Sequence, residues 1–202
     1  MKTALQAILS SPDFIFRVES ASPERDGREF YRIDGLDLAS RLSYFLWNTM
    51  PDATLLNDAS NGRLRDAQVL ERHVDRMLAD SRSDEFVESF VWAWLKLGNI
   101  VEMAPDPMTF YAYHRNRLGD STVKETNAWF RHLLTENLPV SHFIDSDFAI
   151  INADLGRHYG MPGLVNTTAH FQQVAITGSR HRGGLLGQTS VLTASANGVD
   201  TS

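Results

Sequence analysis

The residues best suited to chemistry crowd into one late stretch. Arg180, His181 and Arg182 lead into Gly183 and Gly184, and Gln188, Ser190, Thr193 and Ser195 follow in a run of small side chains. Glycines let backbone N–H groups at a helix start converge on an anion, and the two guanidinium groups would add positive charge beside them. A carboxylate, a phosphate or a haem propionate suits such an entrance. The motifs of nucleotide loops are missing: no Gly-Lys-Ser or Gly-Lys-Thr follows the glycines, and there is no G-x-G-x-x-G run. The same glycines equally permit a tight turn or close packing, since they lack a Cβ. No G-x-S-x-G elbow surrounds Ser190, Thr193 or Ser195, so a serine-hydrolase triad has no support here.

A second set involves histidine. Six of the seven histidines fall between 114 and 181. Asp154 and His158, four residues apart, would share one helical face, as a first-row metal requires. Two ligands without an H-E-x-x-H run remain a weak metal set, because an Asp/His pair at this spacing is also an ordinary charge pair. His158 and Tyr159 lie near the glycine stretch in the expected fold. The anion- or ligand-binding candidates are therefore Arg180, Arg182, Gly183, Gly184, Gln188, Ser190, His158 and Tyr159, and the weak metal candidates are Asp154 and His158. Trp47, Trp92, Trp94 and Trp129 could line a sugar platform, yet each falls in an apolar helical stripe, where core packing is the ordinary role.

The elements that position these residues read as mostly helical. Residues 4–9 form a short helix stopped by Ser11-Pro12. Phe14, Phe16 and Val18 alternate as a weak strand that Phe30 to Ile33 could pair with, although continued helix fits 13–19 as well. From Asp34, with Asp34 or Asp37 as the capping residue, the apolar face is Leu38, Leu42, Phe45 and Leu46. Pro51 opens a short helix to Ala59, broken by Asn61-Gly62. Asp66 caps a third helix with Leu70, Val74, Met77 and Leu78 inward and His73 on its flank. Ser83 to Leu97 is apolar around most of its circumference and reads as a core helix ended by Gly98. After Ala104-Pro105-Asp106-Pro107, the most linker-like stretch, a long helical pattern runs from Tyr111 to Asn137 on a stripe of Trp129, Phe130, Leu133 and Leu134. Thr122-Val123-Lys124-Glu125 fits a capping box and predicts a break near 120. Phe148 to Ile151 leads into a helix from Asn152 to Tyr159, ended by Gly160-Met161-Pro162-Gly163. His170 to Ile176 is the best strand candidate of the second half.

Composition narrows the class. The 202 residues are 43% hydrophobic and 22% charged, ordinary values for a globular chain that can bury a core unaided. A net charge of −6 argues against a broad nucleic-acid or anionic-membrane footprint. The absence of cysteine removes disulfides, thiolate zinc sites, cysteine nucleophiles and covalent c-type haem attachment within this stretch. No window resembles a membrane span or a signal peptide.

The run from Ala4-Leu5-Gln6-Ala7-Ile8-Leu9-Ser10-Ser11-Pro12-Asp13-Phe14, then Leu38-Ala39-Ser40-Arg41-Leu42-Ser43-Tyr44-Phe45-Leu46-Trp47 with Met50-Pro51-Asp52, resembles the first of two consecutive uncharacterised domains found in large exported proteins of planctomycetes and related bacteria. The second domain's pattern is similar to Asn152-x-x-Leu155-x-x-His158-Tyr159-Gly160-Met161, Arg182-Gly183-Gly184-Leu185-Leu186 and Gln188-x-Ser190-Val191-Leu192-Thr193. The resemblance implies a parent polypeptide that often also carries a cytochrome c-type haem domain, an exported or periplasmic location, and continuation beyond Ser202.

The expectation is thus a mostly α, multi-helix fold of two packed helical subdomains, 1–103 and 104–202, with one or two minor short strands and the second domain truncated. The expected function is a scaffold or ligand-binding module of a larger exported, cytochrome c-associated bacterial protein. The alternative is part of an exported oxidoreductase or polysaccharide-degrading enzyme with its site in 145–197. No cofactor is expected in this chain; haem c would sit on a domain outside it. The expected partners are other domains of the same polypeptide, with no nucleic acid and no membrane span.

Overall fold

The computed structural model describes residues 2–16, 19, 33–102, 105–176 and 183–195. These are mostly helical, with one two-stranded antiparallel sheet. The chain divides into two compact units, Met1–Met77 and Leu78–Ser202.

In the first unit, α1 (Lys2–Leu9) is followed by α2 (Pro12–Ile15), a single turn opened by Pro12 and closed by extended Phe16. Proline holds the preceding Ser11 extended while its own fixed φ suits a first helical position. A helical turn therefore replaces the strand that Phe14 and Phe16 suggested; residues 17–18 and 20–32 of that hairpin lie outside the described residues. Helix α3 (Gly35–Trp47) is capped by Asp34, whose carboxylate accepts from Leu36 N at 3.3 Å. Its buried face is Ala39, Ser43, Leu46 and Trp47; of the expected Leu38, Leu42, Phe45 and Leu46, only Leu46 lies on it. Trp47 accounts for the rotation: its indole N–H donates to the Met77 carbonyl at 2.9 Å, and burying this largest side chain leaves Phe45 60% exposed.

Helix α4 (Ala53–Ser60) starts beyond Pro51, because Asp52 caps it by accepting from Leu55 N at 2.9 Å. The start of α3 lies hard against the end of α4, for a Cβ on Gly35 would stand 2.7 Å from the Ala59 carbonyl oxygen. Asp66 caps α5 (Ala67–Ala79) as expected, accepting from Gln68 N at 2.8 Å. His73 is buried, with Nε2 2.9 Å from Asp58 and Nδ1 3.2 Å from the Arg76 guanidinium. A guanidinium only donates, so Nδ1 accepts and the ring proton on Nε2 goes to Asp58. That hydrogen bond, with Arg63 at 2.6 Å on the other oxygen, holds the Asp58 carboxyl below its ordinary range.

In the second unit, α6 (Asp84–Trp94) does not run on to Gly98. Lys96 takes a left-handed φ of 52°, and Leu97 N bonds back to the Trp92 carbonyl at 3.1 Å, a Schellman-type stop. Gly98 instead begins α7 (Gly98–Glu102). The expectation that α6 is buried on several sides also needs correction. Phe86, Val87 and Val91 are buried, whereas Trp92 and Trp94 are 45% and 47% exposed. Trp94 turns its ring edge toward Phe143, with centroids 5.5 Å apart.

The long helical pattern splits into α8 (Tyr111–Arg115) and α9 (Leu118–Thr135), and the break falls at Arg117, whose φ is 50°. Thr122 lies inside α9 and bonds the Gly119 carbonyl at 2.9 Å, so the capping box does not form. Trp129, Phe130 and Leu133 make the expected buried stripe.

Phe148 to Ile151 leads into the following helix as strand β1 (Phe148–Ile151), which pairs antiparallel with β2 (Gln172–Ala175), the expected strand, in register Phe148↔Ala175 to Ile151↔Gln172. Phe148 and Ile150 pack in one cluster with Trp129, Leu133 and Leu185, and Ala149 and Ile151 in another with Leu118, Leu155, Tyr159 and Met161. A strand covered on both faces has no polar alternation, which is why its sequence reads as a plain apolar run. Helix α10 (Ala153–His158) is capped by Asn152, which accepts from Leu155 N at 3.0 Å. Gly160, at a φ of 70°, ends it. After a 3-10 turn at Leu185–Gly187, α11 (Thr189–Ser195) closes the described chain. Helices α6 and α7, on the first side of the expected 103/104 line, thus belong to the second compact unit. Among the described residues, no helix is long and apolar enough to cross a membrane.

Candidate functional site

Three elements of the second unit bring polar side chains into its core. Helix α9 turns Glu125 and Thr126 inward on the same stripe as Trp129. The end of α10 supplies Tyr159, and the stretch into α11 supplies Gln188, Thr189 and Ser190. Glu125 is 2% exposed, so its carboxylate depends on close partners. The Tyr159 hydroxyl donates to Glu125 Oε2 at 2.6 Å and accepts from Thr189 N at 3.1 Å. One phenol oxygen thereby ties α9 to the first turn of α11 through the end of α10. Burial first, and the Glu125 charge second, push the Tyr159 phenol well above its ordinary value. Beside this pair Ser190 bonds Thr126, and Thr126 donates to Gln188 Oε1 at 2.7 Å.

The space enclosed by Glu125, Trp129, Tyr159, Gly184 and Gln188 is about 10 Å³. That admits one water at most. The arrangement is a satisfied internal network, with geometry suited to fixing the core and no room for an organic substrate.

The glycines have a specific packing role. A Cβ on Gly183 would stand 2.3 Å from the Ser146 carbonyl oxygen, and one on Gly184 would stand 2.6 Å from that of Ile144. Gly184 also has a φ of 72°. The 183–184 backbone is therefore pressed against residues 143–146. Arg180, His181 and Arg182 lie outside the described residues. Of the remaining candidates, the structure gathers Tyr159, Gln188, Ser190 and Gly184, and sets His158 apart. His158 is exposed, its ring 5.5 Å from that of Tyr159, and it does not line the Gln188 cavity. Asp154 pairs with Arg157, and no three His, Asp or Glu side chains gather as a metal set among the described residues. Ser195 Oγ bonds back to the Val191 carbonyl at 2.9 Å.

Glu125 and Thr126 are the members that sequence reasoning missed. The signal was present: 118, 122, 125, 129 and 133 follow helical spacing, which puts a carboxylate in line with Trp129 and Leu133. A larger opening was missed too. A groove of about 680 Å³ runs between α6 and α9, lined among others by Glu85, Glu88, Trp92, Asp120 and Asn127.

No protein of curated function and no solved structure matches the chain. The model of one family, PSD4, a protein of unknown function (DUF1592), matches residues 33–161. That span takes in both the Leu38–Trp47 motif and the Asn152–Met161 motif, and it stops short of Arg182–Thr193. With well over half of its length matched, the chain belongs to the DUF1592 (PSD4) family.

Proposed function

We propose that this chain is a non-catalytic scaffold module of a larger exported, cytochrome c-associated polypeptide, in which it holds neighbouring domains. One observation carries the non-catalytic reading. Tyr159, Gln188 and Ser190, the candidates the fold gathers, direct their polar atoms to Glu125, Thr126 and the start of α11 around a water-sized space. Groups committed in this way stabilise the fold and present nothing to a substrate. Export and the haem-bearing partner domain are supported by the resemblance of the sequence motifs. Any haem c would be held elsewhere in the parent, since the chain has no cysteine for thioether attachment.

Ser190→Ala in the parent polypeptide tests the reading. The expected result is a loss of about 1 kcal/mol of stability, the usual worth of one buried hydrogen bond, with unchanged redox or glycan-cleaving activity per folded molecule. A variant with unaltered unfolding that loses such an activity would return Ser190 to a catalytic role and overturn the scaffold reading.

A further inference from the structure

The groove between α6 and α9 is built from matching stripes. Glu85, Glu88, Ser89 and Trp92 follow i, i+3, i+4, i+7 spacing on α6, and Asp120, Val123, Lys124 and Asn127 follow it on α9. Each helix therefore turns one continuous face into the same opening. Phe86 and Phe90 of α6 meet Phe130 of α9, with the Phe90 and Phe130 rings 5.4 Å apart. Ile100 and Tyr113 complete the walls. The volume, about 680 Å³, is that of a small-ligand site.

The chemistry of the walls is one-sided. Glu85 and Glu88 are exposed and make no ion pair among the described residues. Asp120 also lines the groove, although it engages Arg117 at 2.6 Å. Asn127 lines the groove as well, although its Oδ1 is buried and so adds no accessible acceptor to it. Against these acceptors stands one cation, Lys124. Trp92 is 45% exposed, a half-open indole whose face attracts positive charge.

We infer that this groove binds a cationic organic group, an amine or guanidinium such as an arginine or lysine side chain of a partner, seated on Trp92 between Glu85 and Glu88. Carboxylates beside an aromatic face give a cation both Coulomb attraction and a quadrupole contact. An anion would meet the wrong sign on three side chains. A neutral sugar could stack on Trp92 but would gain no Coulomb attraction from the two carboxylates. The inference does not depend on the scaffold reading, since none of these residues belongs to the buried Tyr159 network.

The test uses the full chain and three probes: arginine amide, tetramethylammonium and a neutral β-linked glucose oligosaccharide, each followed by calorimetry and tryptophan fluorescence. Arginine amide is expected to bind at about millimolar concentration and to perturb the fluorescence. The exposed pair Glu85→Gln/Glu88→Gln should weaken it about fourfold to twenty-five-fold, at about two- to fivefold per exposed charge contact. Affinity in the parent chain should also fall as salt screens the carboxylates, a readout that needs no variant. The inference is overturned if arginine amide fails to bind by about 10 mM, if its affinity ignores salt or both substitutions, or if the oligosaccharide binds with the same fluorescence response while the cations do not.

Discussion

Replacing Tyr159 by Phe removes one oxygen and leaves the ring in its buried cluster, so the change isolates the hydrogen bonds. Among the described residues it loses the 2.6 Å bond donated to Glu125 and the 3.1 Å bond accepted from Thr189 N. A bond to a charged group is worth about 1.5–3 kcal/mol, and a neutral one about 1 kcal/mol. With Glu125 only 2% exposed, water cannot readily replace the phenol, which places the first loss toward the upper end. The expected destabilisation is therefore about 4 kcal/mol, or a fall in Tm of about 10–15 °C at the slope usual for a unit of this size. Thermal and urea unfolding of the parent and variant chains measure it. Tyr113→Phe is the internal control, for the Tyr113 hydroxyl bonds no described residue, and its effect should stay below about 0.5 kcal/mol. Equal Tm values for Tyr159→Phe and the parent would show that the network does not hold α9, α10 and α11 together, and the reasoning from it would fail.

The same phenol sets a pH dependence. Its folded pKa lies above the unfolded one, so the folded chain keeps a proton that the unfolded chain loses above pH ~10. Stability should be intact below pH ~10 and fall as pH rises beyond it, with the slope reduced in Tyr159→Phe; equal slopes would contradict the burial argument. Asp58 acts in the other sense, since its folded pKa is depressed by His73 and Arg63. Its contribution is present above the ordinary carboxylate pKa and lost as pH falls through the folded value, and carboxyl NMR of Asp58 should titrate below the model-peptide range in the parent and move back up in His73→Ala. Gly184→Ala should cost about 3 kcal/mol or more, because a left-handed φ and a backbone clash act together. Gly62→Ala shares the φ, 69°, but meets nothing within 4 Å, so about 1–2 kcal/mol is expected; similar losses at both sites would refute the packing role assigned to the 183–184 backbone.

Much of this fold was legible from local chemistry. Asp34 and Asp66 cap their helices because a short polar side chain can reach the orphan N–H groups of its own first turn. Gly160 ends α10 because a left-handed residue suits the stop. The Trp129, Phe130 and Leu133 stripe follows from helical periodicity alone. In each case the decisive partner lies within a few residues in the chain, where spacing can reveal it.

The site was legible only as a set of names. Tyr159, Gln188, Ser190 and Gly184 stood out in the sequence as a possible ligand entrance. Tertiary structure decided that Glu125, 34 residues before Tyr159, meets the phenol, that Thr126 meets Gln188 and Ser190, and that residues 143–146 press on the glycines. Such long-range pairings depend on how α9, β1 and α10 pack, and neither composition nor period encodes them. Lys96 and Arg117 in left-handed turns, where glycine would be usual, make the same point about helix ends. Local spacing determined several helix caps and the buried stripe of α9; the three-dimensional arrangement decided which face of α3 is buried, which polar groups lie in the core and which remain open along the α6–α9 groove.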